Sequence, residues 1–354
     1  MKNLTRRSFL GAGAATAMAA ALVGCSSGGG SSAASSASAS ASSASASASS
    51  ASAAASGAAS GGALRFVTGG ESGTYYAFGS VIAQHATNNT NVAVTALVGN
   101  GSQSNVLELE DKNAELAFCQ SDVMAYAYDG TNLFEGMPVD CFSTVAALYD
   151  EQVQIVTCNE NIKTVADLKG KNVSIGAAGS GVYFNAIDIL GAYNITEADI
   201  NPTFQSFGDS ADSLKDGKID AAFIVAGAPT TAITDLSTSK TAYLVALDDE
   251  HIKALIAKSP YYSEATIPAN TYPGQTAEVK TVSVNAVILA RDTVSENDIY
   301  TFVGDIFDNA KNLTDSHAKY AELSIEKGAS ITSVPYHPGA ARYFSEKGLT
   351  VETK

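Results

Sequence analysis

Two short stretches carry residue types that suit the capture of a small ligand. Ser72-Gly73-Thr74-Tyr75 lies in "TGGESGTYYAFGSVIA" (68–83), and Ser180-Gly181-Val182-Tyr183 lies in "SIGAAGSGVYFNAIDILG" (174–191). Each places a Ser-Gly between a strand pattern and a helical pattern. A glycine-rich turn feeding a helix leaves the first backbone N–H groups unpaired. Those donors, with the positive end of the helix dipole, suit an anion such as a carboxylate. Ser72, Thr74 and Ser180 add hydroxyls that bond either a ligand or the helix start. Tyr75 and Tyr76 are helical neighbours that face different ways, so at most one points inward; Tyr183 either lines the same space or packs.

The turns recur 108 residues apart, and the echo extends beyond them. After the first come a helix ("YYAFGSVIAQHATN"), a strand ("VAVTALVG") and "SQSNVLELEDKNAELAFCQSD". After the second come a helix ("YFNAIDILGAYN"), an extended segment ("PTFQSFGD") and "DSLKDGKIDAAFIVAGAP". Each copy reads strand, turn, helix, strand, helix, then a buried strand ending in a polar or glycine-containing tip. From the turn Ser to the Leu of the second helix there are 37 residues in one copy and 34 in the other. Alternating strands and helices predict an α/β fold with parallel sheets and right-handed crossovers, and ligands bind beyond the carboxyl ends of such strands. Two lobes that face each other across one central cleft would bring both turns to the same ligand. Gln120, Ser121 and Asp122 follow an apolar strand and either meet that ligand or, for Ser121 and Asp122, cap the helix "VMAYAYDG".

The remaining sequence frames this pair of units. Residues 1–25 open with the twin-arginine pattern Thr5-Arg6-Arg7-Ser8-Phe9-Leu10 and continue into an alanine-rich run too short to span a bilayer, which needs about 20 residues. The run ends in Leu22-Val23-Gly24-Cys25, which is similar to a bacterial lipobox, with Cys25 as the lipid anchor. Residues 26–62 are only Ser, Ala and Gly, a composition expected to be a disordered tether reaching roughly 35 Å. The folded part, 63–354, is long enough for two domains, with 63–149 and 275–354 forming lobe 1 and 150–274 lobe 2. Without its leader the chain holds 18 basic and 36 acidic residues, a net charge of −18. That balance excludes nucleic acid as a partner and direct adhesion to anionic lipid, leaving the lipid anchor as the membrane contact.

Little else suggests chemistry. His85, His251, His317 and His337 show no metal-ligand spacing, and no G-x-S-x-G elbow is present, so neither a metal, a cofactor nor catalysis is expected. Cys119, Cys141 and Cys158 sit in apolar stretches and are expected as buried thiols. Ser295 and Asp298 form the S-x-x-D signature of a capped helix, and Pro338 after His337 suits a helix start.

The order and spacing of "TGGESGTYYAFGSVIAQ", "ELAFCQSDVMAYAYDG", "TVADLKGKNVSIGAAGSGVYFNA", "FIVAGAPTTAITDL", "IPANTYPGQTAEVKTV" and "YHPGAARYF" resemble the TAXI-type solute receptors of tripartite ATP-independent periplasmic (TRAP) transporters. The resemblance covers about Leu64 to Glu352. It implies a two-lobed, type II "Venus flytrap" binding protein that closes on a small carboxylate, such as glutamate, glutamine or a dicarboxylate, and delivers it to a TRAP permease driven by an ion gradient. An ABC-importer receptor or a ligand-sensing subunit would share this shape. Carried over residue by residue, the resemblance implies ligand contacts at Gly73, Thr74, Tyr75, Ser102, Asn105, Gln120, Ser121, Ser180, Gly181, Gly227, Pro229 and Tyr272. It also implies an extracytoplasmic, lipid-anchored location. Glu71 departs from the small or hydroxyl residue usual in this turn, and is expected either outside the cleft or facing the ammonium of an amino-acid ligand. The only arginines beyond the leader are Arg65, Arg291 and Arg342, none at a predicted loop tip, so a carboxylate would be held without a guanidinium clamp.

Overall fold

The computed structural model describes residues 63–354. The leader, the tether and Cys25 lie outside the described residues. β1 (Leu64–Val67), α1 (Thr74–Asn89), β2 (Val94–Leu97), α2 (Ser102–Glu110) and β3 (Leu116–Gln120) form the first unit, and α3 (Ser121–Asp129) leaves it. β4 (Phe142–Thr157) is a long strand leading to the second unit, made of β5 (Asn172–Ser174), α4 (Val182–Ala192), β6 (Asn201–Thr203), α5 (Phe207–Lys215) and β7 (Ala221–Ala226). β1 pairs in parallel with β2 and β3, and β5 pairs in parallel with β6 and β7. The repeated sequence pattern is therefore a repeated topology, with the turn-bearing strand in the middle of each parallel trio.

α6 (Thr231–Ser239), β8 (Tyr243–Val245), α7 (Asp249–Lys258) and β9 (Ser263–Ile267) follow, and β10 (Val279–Arg291) returns antiparallel to β4. All ten strands form one sheet, with core order β2-β1-β3-β10-β4-β7-β5-β6. β3 is apolar until its last residue and β7 is apolar throughout; both are fully buried, as strands covered on two faces must be. Successive residues alternate between faces: Phe66, Phe118 and Ile288 join one core, while Val67, Ala117 and Val287 join another. In the second half Ile155 and Phe223 pack on one face, and Val156 and Ile224 on the other. The change of core falls inside β10, where Val282 and Val284 pack with the second half and Ala286 and Ile288 with the first. Two halves thus share two continuous strands.

The chain ends on the first half with α8 (Glu296–Asp308), a short α9 (Ile325–Gly328) and α10 (Pro338–Glu346). Ser295 Oγ caps α8 by accepting from the Asp298 N–H. His337 caps α10: Nδ1 accepts from the Gly339 N–H at 3.2 Å, and Nε2 donates to the Val294 carbonyl at 3.1 Å. Only a ring protonated on Nε2 alone serves both bonds, and burial holds the imidazole below its usual pKa. The cysteines are a partial correction. All three are free thiols; Cys119 is buried, but Cys141 and Cys158, at the ends of apolar stretches, are only half-buried.

Candidate functional site

The two glycine turns meet. A cavity of about 310 Å³ lies between the halves, walled by Gly69–Tyr75 and Val98–Ser102 from the first and by Ala177, Ser180–Val182 and Gln205–Phe207 from the second. Gln120, Glu151, Val225 and Ala226 complete the wall, so among the described residues no lysine or arginine lines it. The size falls in the range of small-molecule sites.

Three helices begin at this wall on an N-cap glycine, which has no capping side chain. Their N-cap residues are Gly73 for α1, Gly101 for α2 and Gly181 for α4. α3 also starts at the wall, uncapped, at Gln120, whereas α5 starts there with Ser206 Oγ accepting from the Asp209 N–H. A glycine cap leaves the first N–H groups without a side-chain acceptor, although Ser104 N of α2 is taken by the Gly179 carbonyl. Gly101 has φ +105°, and a Cβ there would lie 3.1 Å from Ser180 Cα, so glycine lets the two loops approach. Ser180 Oγ is buried on the wall with no partner. Gln205 Oε1 is likewise buried and unpaired, while its Nε2 donates to Ser213 Oγ.

The halves are tied directly around this space. Thr74 Oγ1 donates to the Gly227 carbonyl at 3.0 Å, Ser104 N to the Gly179 carbonyl at 2.8 Å, and Ala232 N to the Ser72 carbonyl at 3.2 Å. Gln120 Nε2 donates to Asn185 Oδ1 at 2.8 Å, and Asn185 Nδ2 donates to Asp122 Oδ2 and to the Tyr262 hydroxyl, each at 2.9 Å. Asp122 is fully enclosed, and burial pushes its carboxyl up to about 7 against the hydrogen bonds that favour its charge. At the base, Tyr75 stacks on Phe118 and its hydroxyl donates to Glu151 Oε2 at 2.8 Å. Burial drives the Glu151 carboxyl well above the ordinary range, opposed by the Tyr75 bond and by Lys319.

The expected site residues divide by position. Gly73, Thr74, Tyr75, Ser102, Gln120, Ser180 and Gly181 stand on the wall. Asn105 does not: it is buried, with its amide donating to the Thr68 and Phe118 carbonyls, and it steadies the loops behind the wall. Ser121 accepts from the Asn285 N–H, and the N-cap of α3 is Gln120, so neither Ser121 nor Asp122 caps that helix. Gly227 is packed against Lys319 and serves Thr74, Pro229 is exposed off the wall, and Tyr272 is buried among Thr230 and Gln154. Glu71, expected either outside the cleft or facing an ammonium, lines the rim of the cavity while staying exposed. Tyr76 and Tyr183 are half-buried away from the wall, the latter donating to Glu197.

Residues 66–348 match the NMT1-like family. The chain belongs to that family. Its fold is mixed α/β, with two halves joined by two shared strands. Looser likenesses to solved structures accompany the match. The alkanesulfonate-binding protein SsuA of Xanthomonas axonopodis pv. citri, bound to MOPS, is 16% identical over 80% of this chain and 83% of that one, with a TM-score of 0.47. A structure described as a periplasmic transporter is 14% identical over 80% and 92% of the two chains, with a TM-score of 0.49. PhnD1 of Prochlorococcus marinus, in complex with methylphosphonate, is 10% identical over 72% and 90%, with a TM-score of 0.48.

In this NMT1-like chain the sequence reading missed Glu151, Gln205 and Asn185. Glu151 had a signal: Asp150-Glu151-Gln152 follows the apolar run Val145–Tyr149 in the middle of a 16-residue strand. Gln205 follows β6 as Val98–Gly101 follow β2, so the internal repeat pointed to it. Asn185, one turn into an apolar helix, had none. Among the described residues no cluster of His, Cys, Asp and Glu is arranged to hold a metal.

Proposed function

We propose that the protein is an extracytoplasmic receptor that closes its two lobes on a small carboxylate and delivers it to a TRAP-type permease. The observation that carries the reading is the enclosed cavity with three glycine-started helices and an unpaired Ser180 hydroxyl on its wall. Such a wall supplies hydrogen-bond donors to an anion without a cationic side chain. The lobes are 63–149 with 275–354, and 150–274, with rotation taken up in the two shared strands. Cys25 anchors the receptor after twin-arginine export, and the 26–62 tether lets it range over the membrane. The TAXI-like motifs support the permease assignment.

The test is a thermal-shift screen with C4–C6 dicarboxylates and amino acids. A ligand at about 100 times its dissociation constant adds about 2.7 kcal/mol to stability. A melt shifted only by sugars or cations would end the anion reading. Uptake into vesicles holding the permease should follow an ion gradient; dependence on ATP would instead assign the receptor to an ABC importer.

A further inference from the structure

Glu151 has an unusual position for a carboxyl group. It lies midway along β4, opposite Val284 of β10, where the two halves join, and only 2% of it is exposed. It nevertheless forms part of the cavity wall. Oε2 is taken by the Tyr75 hydroxyl, whereas Oε1 has no hydrogen-bond partner among the described residues. Among the described residues no cation pairs with it. The groups around it are Tyr75 from α1, Cys119 on β3, Asp122 of α3, Tyr149 on its own strand, and Lys319 from the turn Ala318–Glu322. Lys319 is spent elsewhere: its ammonium donates to the Ala228 carbonyl and to Glu322. Tyr149 and Cys119 are buried and held neutral, and Asp122 can add only like charge.

An anionic solute on the helix starts would therefore share this enclosure with Glu151 and with no lining cation. Two negative charges enclosed in one cavity of about 310 Å³ repel, which favours the neutral acid over the carboxylate. The neutral acid keeps the Tyr75 bond on Oε2 and has a proton on Oε1 to give. We infer that Glu151 binds the solute as an uncharged carboxylic acid, its Oε1–H donating to an anionic oxygen of the solute, so that one proton is held with each solute. The inference rests on the carboxylate reading above and adds to it a specificity residue and a pH dependence. Burial, which raises the Glu151 pKa, acts in the same direction.

The sign of the effect follows. A proton retained in the complex and lost from the free receptor weakens binding as pH rises above the free receptor's value, by up to tenfold in Kd per pH unit. The experiment is isothermal titration of the full chain with glutarate, succinate, 2-oxoglutarate, L-glutamate and L-glutamine between pH 5 and 9, in buffers of differing ionisation enthalpy. Expected is a Kd that climbs with pH and up to one proton taken up per solute at the alkaline end. In Glu151→Gln the amide still donates, so Kd at pH 5 should lie within about tenfold of wild type and the climb should vanish. The wild-type proton count decides the matter even if that variant fails to fold. Binding without proton uptake, or a pH slope that survives in Glu151→Gln, overturns the inference while sparing the carboxylate reading. So does binding of the two amino acids alone, abolished in Glu151→Gln, because Glu151 would then be the counter-ion of their ammonium. If no anion binds the wild type at all, both readings fall together.

Discussion

Gly181→Ala probes the closed arrangement at one atom. Gly181 has φ −70° and ψ −21°, a conformation alanine adopts freely. The obstacle lies across the cavity, in the other half. An added Cβ would overlap Gln120 Oε1, lie 2.5 Å from Gln120 Cδ and 3.0 Å from Ser102 Oγ. Gln120 must swing aside, which breaks its 2.8 Å bond to Asn185 and leaves Asn185 Oδ1 buried and unpaired. Losing such a bond costs about 0.5–1.5 kcal/mol and the orphaned acceptor about 1–3 kcal/mol more. Together these come to about 1.5–4.5 kcal/mol, or about 10- to 2,000-fold in affinity. If the halves part when empty, the cost falls on solute binding and not on folding. Calorimetric titration with the best solute from the thermal-shift screen measures the first, and urea unfolding of the ligand-free protein measures the second. Gly191→Ala is the control: it is exposed on the same helix with no atom near its Cβ, so affinity should hold and stability rise by up to about 1 kcal/mol. Wild-type affinity in Gly181→Ala would refute the reasoning, as would an affinity loss matched by an equal loss of ligand-free stability.

Three further outcomes are expected. Asp122, raised to about 7 by burial, keeps its proton in the folded protein over a range where the unfolded chain has lost it. Stability should therefore be highest below about pH 4 as far as this group is concerned and decline as pH climbs to about 7, by at most 1.4 kcal/mol per unit. Urea unfolding of Asp122→Asn, with a flatter profile over that range, checks it. His337→Ala should cost about 1–2 kcal/mol, because α10 loses its cap and Val294 its donor. In wild type the His337 contribution is present above about pH 6.5 and lost as pH falls through its depressed folded value, a trend absent from the variant's urea profile. Gly73→Val should weaken binding by at least tenfold in calorimetry. Its Cβ alone would sit 3.4 Å from the Phe207 ring and from the Gly70 carbonyl, and the branch methyls reach further.

Much of the architecture was legible in the chain because it rests on local rules. Glycine before an apolar run marks a helix start, as at Gly73 and Gly181; Ser295 announces a cap and Pro338 a helix start; buried strands read as unbroken apolar runs, as in "AAFIVA". The internal repeat required only that similar local patterns recur in the same order, and it returned as two trios with the same strand order. Parts of the site were legible for the same reason, since Gly73, Ser180 and Gly181 sit where a strand must turn into a helix.

The remainder depended on closure in space. Nothing near Asn105 or Tyr272 distinguishes a side chain that faces solute from one that braces a loop, because both choices satisfy the same polar atoms. Asn185 matters through Gln120 and Asp122, more than 60 residues away. Glu151 is an ordinary acidic residue in the sequence. It becomes a buried, half-satisfied acid only when two halves cover one strand, since desolvation is a property of everything packed around a group and not of its neighbours along the chain.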